Sequence, residues 1–190
     1  MGRKTLLLAG LLALTTAANA QATSAQQAAE RDLFAKIVEI PTVEGQPAEF
    51  KKLTSLLTSE FSKGGITNVI VKDHDNTQTL IARWPAAKPS GKKPILLMAH
   101  MDVVAAKASD WKYPPFQFRE EGGYYLGRGS NDNKAALTGI VLALQYLHAE
   151  KFAPARDIIV LFTGDEETIG NGARRAASEW RDLIDAEYAL

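Results

Sequence analysis

The sequence predicts an α/β fold, a three-layer sandwich around a mostly parallel central sheet. Residues 94–99 and 157–163 form continuous apolar runs. A run that does not alternate with polar residues is typical of a central strand covered on both faces. Predicted helices and strands alternate along the chain, which is the order of proteins whose helices cover both faces of a sheet.

Local signals define the individual elements. A first helix over residues 25–40 must end before Pro41, because the residue preceding a proline is pushed out of the α region. Pro47 suits the first turn of a second helix, which apolar residues at helical spacing extend to the glycines at 64 and 65. The remaining predictions are strands over 67–71 and 79–83 that pair as a hairpin, an irregular stretch with a short strand over 113–125, and helices over 135–147 and 172–185.

The N-terminus has the pattern of a secretory signal peptide. Arg3 and Lys4 precede an apolar run over residues 5–18, and Ala18-Asn19-Ala20 is a small-residue cleavage site. The run is shorter than the roughly 20 residues of a membrane-spanning helix. We therefore expect residues 1–20 to be removed, residues 21–190 to form one domain, and the mature protein to be periplasmic or secreted, with no membrane segment.

Composition limits the possible partners and cofactors. The net charge is zero and charges of both signs are interspersed, so nothing in the composition indicates binding to nucleic acid or to an anionic membrane. There is no cysteine. Any metal must therefore be held by His, Asp and Glu, a donor set that suits zinc or a similar divalent ion.

Chemically active side chains follow both buried strands. His100 and Asp102 come after the first strand, and Glu166 and Glu167 after the second. In sheets of this class the ligand site lies at the carboxyl ends of the strands. His100 is a candidate metal ligand, with Asp102 accepting the proton of its other ring nitrogen; the alternative is a buried histidine beside a helix-capping aspartate.

Two further acidic segments carry alternatives. Asp132 lies in a glycine-rich loop before a helix, where it could bridge two cations or simply cap the helix. The three carboxylates of residues 165–167 are costly to gather without a cation. One glutamate could ligate metal while the next acts as general base, or the segment could be an exposed acidic turn. Arg128 and Lys134 could pair with carboxylates of the substrate or of the protein, but like His74 and His148 they are predicted to lie at the surface.

Together these motifs resemble the M20 family of zinc metallopeptidases, which includes carboxypeptidase, dipeptidase, aminoacylase and desuccinylase branches. The matching segments occur in the family's order and cover essentially all of the mature chain: residues 100–102, 111–116, 127–134 and 164–167. The resemblance implies a zinc-exopeptidase fold.

The resemblance also implies a role for each site residue. His100 and Glu167 would each ligate one of two Zn²⁺ ions, Asp132 would bridge them, and a cis peptide would join Asp132 to Asn133. Asp102 would orient His100, and Glu166 would be the general base. Such ions lie about 3.5–4 Å apart and hold a hydroxide that attacks a peptide or N-acyl amide bond next to a free carboxylate. Co²⁺ or Mn²⁺ could substitute.

Some parts of the family pattern are expected beyond Leu190. They are a further acidic ligand, a last histidine ligand, and a smaller domain that dimerises and closes over substrate. We therefore expect this chain to be the N-terminal part of a longer enzyme, inactive alone, with a homodimer formed through that domain. The alternative is a catalytically inactive binding protein on the same fold.

Overall fold

The computed structural model describes residues 23–190. The predicted signal peptide, residues 1–20, lies outside this part of the chain. Within the described residues, no helix combines the length and apolar character needed to cross a membrane.

Five helices and seven strands form the described domain, and most of the strands belong to one sheet. The sheet has the order β1-β2-β6-β3-β7, and β4 and β5 form a separate hairpin. A short 3₁₀ turn, Ala108–Asp110, follows β3. The elements are α1 (Ser24–Val38), α2 (Pro47–Lys63), β1 (Asn68–His74), β2 (Thr77–Trp84), β3 (Ile95–His100), β4 (Arg119–Glu121), β5 (Tyr124–Leu126), α3 (Lys134–Ala149), β6 (Ile158–Thr163), α4 (Asn171–Ser178), α5 (Arg181–Ile184) and β7 (Tyr188–Ala189).

The strand directions confirm the predicted sheet. β3 pairs in parallel with both β6 and β7, whereas β2 is antiparallel to its neighbours β1 and β6. Every strand of the main sheet except β2 therefore points the same way. The antiparallel β1–β2 pair is the hairpin that the sequence predicted.

The side chains of β6 show why its apolar run is continuous. Ile158, Val160 and Phe162 pack in a core cluster with α1, α2 and α3. Ile159 and Leu161, pointing to the opposite face, pack with the segment that contains α4 and α5. Both faces of β6 are thus covered, as expected for a central strand, and the three-layer architecture is confirmed.

Two predicted elements differ in detail. The helix expected over residues 172–185 is two helices, α4 and α5, because the chain leaves helical geometry at Trp180, whose ring packs against the sheet. The β1–β2 turn is shorter than predicted. It contains Asp75 and Asn76 alone, both with positive φ, the two-residue geometry that matches the twist of paired strands.

The prediction that Lys134 lies at the surface is wrong. Lys134 is fully buried at the start of α3, and its ammonium group donates to the Ile40 carbonyl. Burial lowers the pKa of this ammonium group to about 7, against the opposing charge of Glu49. The long stem packs under the glycine-rich loop, so this lysine joins α3 to the end of α1.

The prediction that His74 lies at the surface is also wrong. Only 7% of His74 is exposed. Its Nε2 lies 2.8 Å from the Thr79 hydroxyl, and its ring stacks near Trp180 at 5.8 Å between centroids. The tight hairpin turn brings the last residue of β1 under the start of α4. His148, in contrast, is exposed at the end of α3, as predicted.

The central position of α3 gives a stability prediction. Leu137 is fully buried against the sheet, so Leu137→Ala leaves a cavity and should lower the free energy of unfolding by about 2–5 kcal/mol. Leu126, 38% exposed in β5, is the matched control, and Leu126→Ala should cost less than about 1 kcal/mol. Urea denaturation of both variants measures the difference. Equal losses would contradict this account of the core.

Candidate metal centre

The parallel pairing of β3 with β6 brings the two predicted chemical loops together. His100 is in register with Thr163, and the Met101 amide donates to the Thr163 carbonyl at 2.6 Å. Residues 100–102 and 164–167 therefore leave the sheet side by side at its carboxyl edge. This is the edge at which the sequence placed the site.

His100 is buried, and its two ring nitrogens face different partners. Nδ1 lies 3.0 Å from the Asp102 carbonyl and 3.4 Å from the Asp102 carboxylate. Nε2 lies 2.9 Å from Asp132 Oδ1 and 3.8 Å from Glu166 Oε2. A proton held on Nδ1 by Asp102 leaves Nε2 as the nitrogen that can bind a metal.

Asp102 joins the two loops. One of its carboxylate oxygens accepts the Glu167 backbone N–H at 2.8 Å, while the other faces His100 and is buried without a hydrogen-bond partner in the described part of the chain. The first contact was not predicted. Asp102 therefore fixes the position of Glu167 as well as facing the imidazole.

Asp132 reaches the centre from the glycine-rich loop. The peptide bond from Asp132 to Asn133 is cis, as the resemblance implied. Asn133 occupies the N-cap position of α3, but no side-chain hydrogen bond caps that helix. The carboxylate of Asp132 instead lies at hydrogen-bond distance from His100, so the alternative in which it caps the helix does not hold.

The acidic turn divides between two environments. Asp165 is buried, and both of its carboxylate oxygens accept the backbone N–H of Gly172 in α4. The side chain of Glu166 is 61% exposed, and that of Glu167 is half-buried. Glu166 and Glu167 face the centre, whereas Asp165 faces away from it toward α4.

One atom each of His100, Asp132 and Glu167 lies within 4.8 Å of the others. The structure thus brings together the three predicted ligands, with Glu166 beside them.

The charges of this cluster fit a cation. Burial raises the pKa of the Glu167 carboxyl, the charge of His100 lowers it, and the Asp132 and Asp102 carboxylates raise it again. Burial lowers the pKa of the His100 imidazole, but hydrogen bonds to Asp102 and Asp132 outweigh it and raise that pKa to about 9. The centre thus combines one imidazole with several carboxylates, a donor set that suits zinc or a similar divalent ion.

Gly164 sets the position of the acidic turn. A Cβ at this residue would overlap the Thr77 hydroxyl and the Gln78 carbonyl of β2. The Gly164 carbonyl accepts the Thr77 hydroxyl at 2.6 Å. The turn is therefore packed directly on β2, and this contact fixes the position from which Glu166 and Glu167 extend.

Comparison with known proteins agrees with this geometry. The family model for peptidase family M20/M25/M40 matches residues 96–190, half of the chain, and this segment contains His100, Asp132 and Glu167. The chain belongs to this family.

The chain is similar in sequence to proteins named as a synthase/hydrolase and as a probable desuccinylase. It is 30% identical over 162 residues to the human N-fatty-acyl-amino acid synthase/hydrolase, covering 80% of this chain and 31% of the relative. It is 32% identical over 148 residues to a probable succinyl-diaminopimelate desuccinylase of Staphylococcus aureus, covering 77% of this chain and 35% of the relative. The chain therefore spans about a third of the length of these relatives.

Solved structures have the same fold as this chain. Human carnosine dipeptidase 1 superposes with a TM-score of 0.73 at 20% identity, covering 86% of this chain and 38% of the dipeptidase. At 20% identity, this structural likeness establishes the fold of the chain alone.

The contact of Gly164 with β2 can be tested by substitution. Gly164→Ala forces the acidic turn away from β2 and should lower the free energy of unfolding by about 1–3 kcal/mol, with weaker binding of divalent metal. Gly139 in α3 has open space around its Cα, so the control Gly139→Ala should stabilise by up to about 1 kcal/mol. Thermal unfolding and zinc titration of both variants measure these effects. Unchanged stability and metal affinity in Gly164→Ala would contradict the account.

Proposed function

We propose that this chain forms part of a dizinc hydrolase that cleaves a peptide or N-acyl amide bond next to a free carboxylate. The observation that carries the proposal is the convergence of His100, Asp132 and Glu167 at one strand edge, with the uncommitted carboxylate of Glu166 beside them. Membership of the M20 family supports it.

The metal would be held by side chains of all three loops. His100 Nε2 would ligate one Zn²⁺, Glu167 the other, and Asp132 would bridge them; Co²⁺ or Mn²⁺ could substitute. Three protein ligands are few for two ions, so we infer that others come from the longer protein. When bound, such ions supply Lewis acidity toward the scissile carbonyl and lower the pKa of water.

Glu166 and Asp102 have distinct roles in this proposal. The exposed Glu166 carboxylate can accept a proton from the attacking water and return it to the leaving amine. Asp102 keeps the proton on Nδ1 of His100, and its hydrogen bond to the Glu167 amide keeps that ligand in place.

The substrate class follows from the names of the relatives. Those names contain N-fatty-acyl-amino acid and succinyl-diaminopimelate, so we propose N-acyl-amino acids or short peptides as substrates. The signal-peptide pattern of residues 1–20 supports export to the periplasm or outside the cell. We also propose that the longer protein forms a homodimer.

Substitution of Glu166 tests the proposed base. In the full-length protein, Glu166→Gln keeps the size and polarity of the side chain but cannot accept a proton, so kcat should fall at least about 100-fold. Bound zinc should be unchanged. The measurement is hydrolysis of an N-acyl-amino acid with and without chelator.

Glu150→Gln, at an exposed glutamate after α3, is the matched control and should retain full activity. Turnover that survives in Glu166→Gln would remove Glu166 as the base. No turnover in the wild-type protein would favour the alternative, a catalytically inactive binding protein.

Metal content tests the ligand set. His100→Ala should weaken zinc binding at least about tenfold, because the buried nitrogen donor is lost. His148→Ala, at an exposed histidine, should bind zinc like the wild type. Zinc is counted by mass spectrometry after dialysis against a weak chelator. Unchanged zinc in His100→Ala would remove His100 from the ligand set.

A further inference from the structure

A second cluster of possible ligands lies on the far side of the acidic turn, around the β1–β2 turn. It contains His74, Asp75 and Asp165, each offering one atom within 4.8 Å of the others. Neither the predicted site nor the proposed reaction uses these side chains.

His74 points into this cluster without forming a hydrogen bond there. Its side chain has no exposed surface, and Nδ1 is buried with no hydrogen-bond partner among residues 23–190. Nδ1 lies 3.4 Å from Asp75 Oδ2 and 4.0 Å from Asp165 Oδ2. Both separations exceed the usual length of an N–H···O hydrogen bond.

These separations fit a shared cation better than a shared proton. Zinc binds nitrogen and oxygen at about 2.0–2.2 Å, so ligands at the corners of a tetrahedron lie about 3.4 Å apart. The distance from His74 Nδ1 to Asp75 equals that edge, and the distance to Asp165 is slightly longer. Nε2 is engaged by the Thr79 hydroxyl, which is the orienting contact that a metal-binding imidazole needs.

The surroundings of the cluster can accommodate an ion. A cavity of about 20 Å³ adjoins the two carboxylates of the cluster; it is lined in part by Asp75, Asp165 and, from the candidate metal centre, Asp102, but not by His74. That volume is enough for one water molecule, which could serve as a fourth ligand. Arg175 and Asn171 approach the Asp75 carboxylate, at 3.8 and 3.2 Å, so a cation at this position would compete with Arg175.

We propose that His74, Asp75 and Asp165 form a second divalent-cation site, for Zn²⁺ or an ion of similar chemistry, separate from the candidate metal centre. The site joins the β1–β2 turn to the loop between β6 and α4. Its role is structural: a cation there anchors Asp165, the residue immediately before Glu166.

The experiment uses the ring signals of the three histidines of this chain. The protein without an affinity tag is prepared with the substitution His100→Ala, which removes the one histidine that residues 23–190 contribute to the candidate metal centre, and is titrated with Zn²⁺ alone. The His74 Nδ1 resonance should shift and saturate near one equivalent. The exposed His148 is the internal control and should not follow that curve.

Two variants test the ligands without depending on a single substitution. Asp165→Asn keeps an oxygen for the Gly172 N–H but lacks the charge, and it should weaken the His74 response at least about tenfold. Arg175→Ala removes the competing cation and should strengthen it. Circular dichroism establishes that both variants fold.

The opposite results would overturn the proposal. They are a His74 ring that keeps the same signals at millimolar Zn²⁺, or one protonated on both nitrogens with and without metal, which would assign Nδ1–H to Asp75. Because the measurement is made in the His100→Ala background and does not involve turnover, it is independent of the proposed hydrolytic function.

Discussion

The parallel pairing of β3 with β6 is the constraint on which the site depends. Its register places His100 opposite Thr163, so the histidine loop and the acidic loop start from the same edge of the sheet. Side chains alternate between the two faces of a strand, and a slip by one residue would turn His100 away from Asp132. On β3 itself, Ala99 packs in the core cluster beneath α1, α2 and α3, whereas Leu96 packs in the cluster on the opposite face, so such a slip would break both sets of contacts.

The edge gathers five carboxylates, and backbone donors make this possible. Asp102 accepts the Glu167 amide, and Asp165 accepts the Gly172 amide at the start of α4. These contacts hold two of the acids with their charges compensated by peptide dipoles. Under the proposed function, Asp132, Glu166 and Glu167 remain available to a metal ion and to the attacking water.

Much of this could be predicted from local patterns. The buried strands, the hairpin and the main helices follow from periodicity and from proline and glycine positions. The grouping of His100, Asp132 and Glu167 follows from the motifs and the strand-edge rule. His74 and Lys134 could not be placed, because polar residues predict exposure until a distant element covers them. α4 covers His74, and the Ile40 carbonyl receives Lys134. The break at Trp180 likewise depends on packing against the sheet.

The loop between β6 and α4 is where the two clusters meet, and its backbone explains how they would interact. Gly164 packs on β2 through Thr77, Asp165 faces His74, and Glu167 is fixed by Asp102. A loop held at three successive points has little freedom to move one carboxylate independently of the next. Under the proposal of a second cation site, an ion bound by Asp165 and an ion bound by Glu167 would therefore stabilise the same conformation of the loop. Each would then strengthen the binding of the other by an equal factor, as linkage requires.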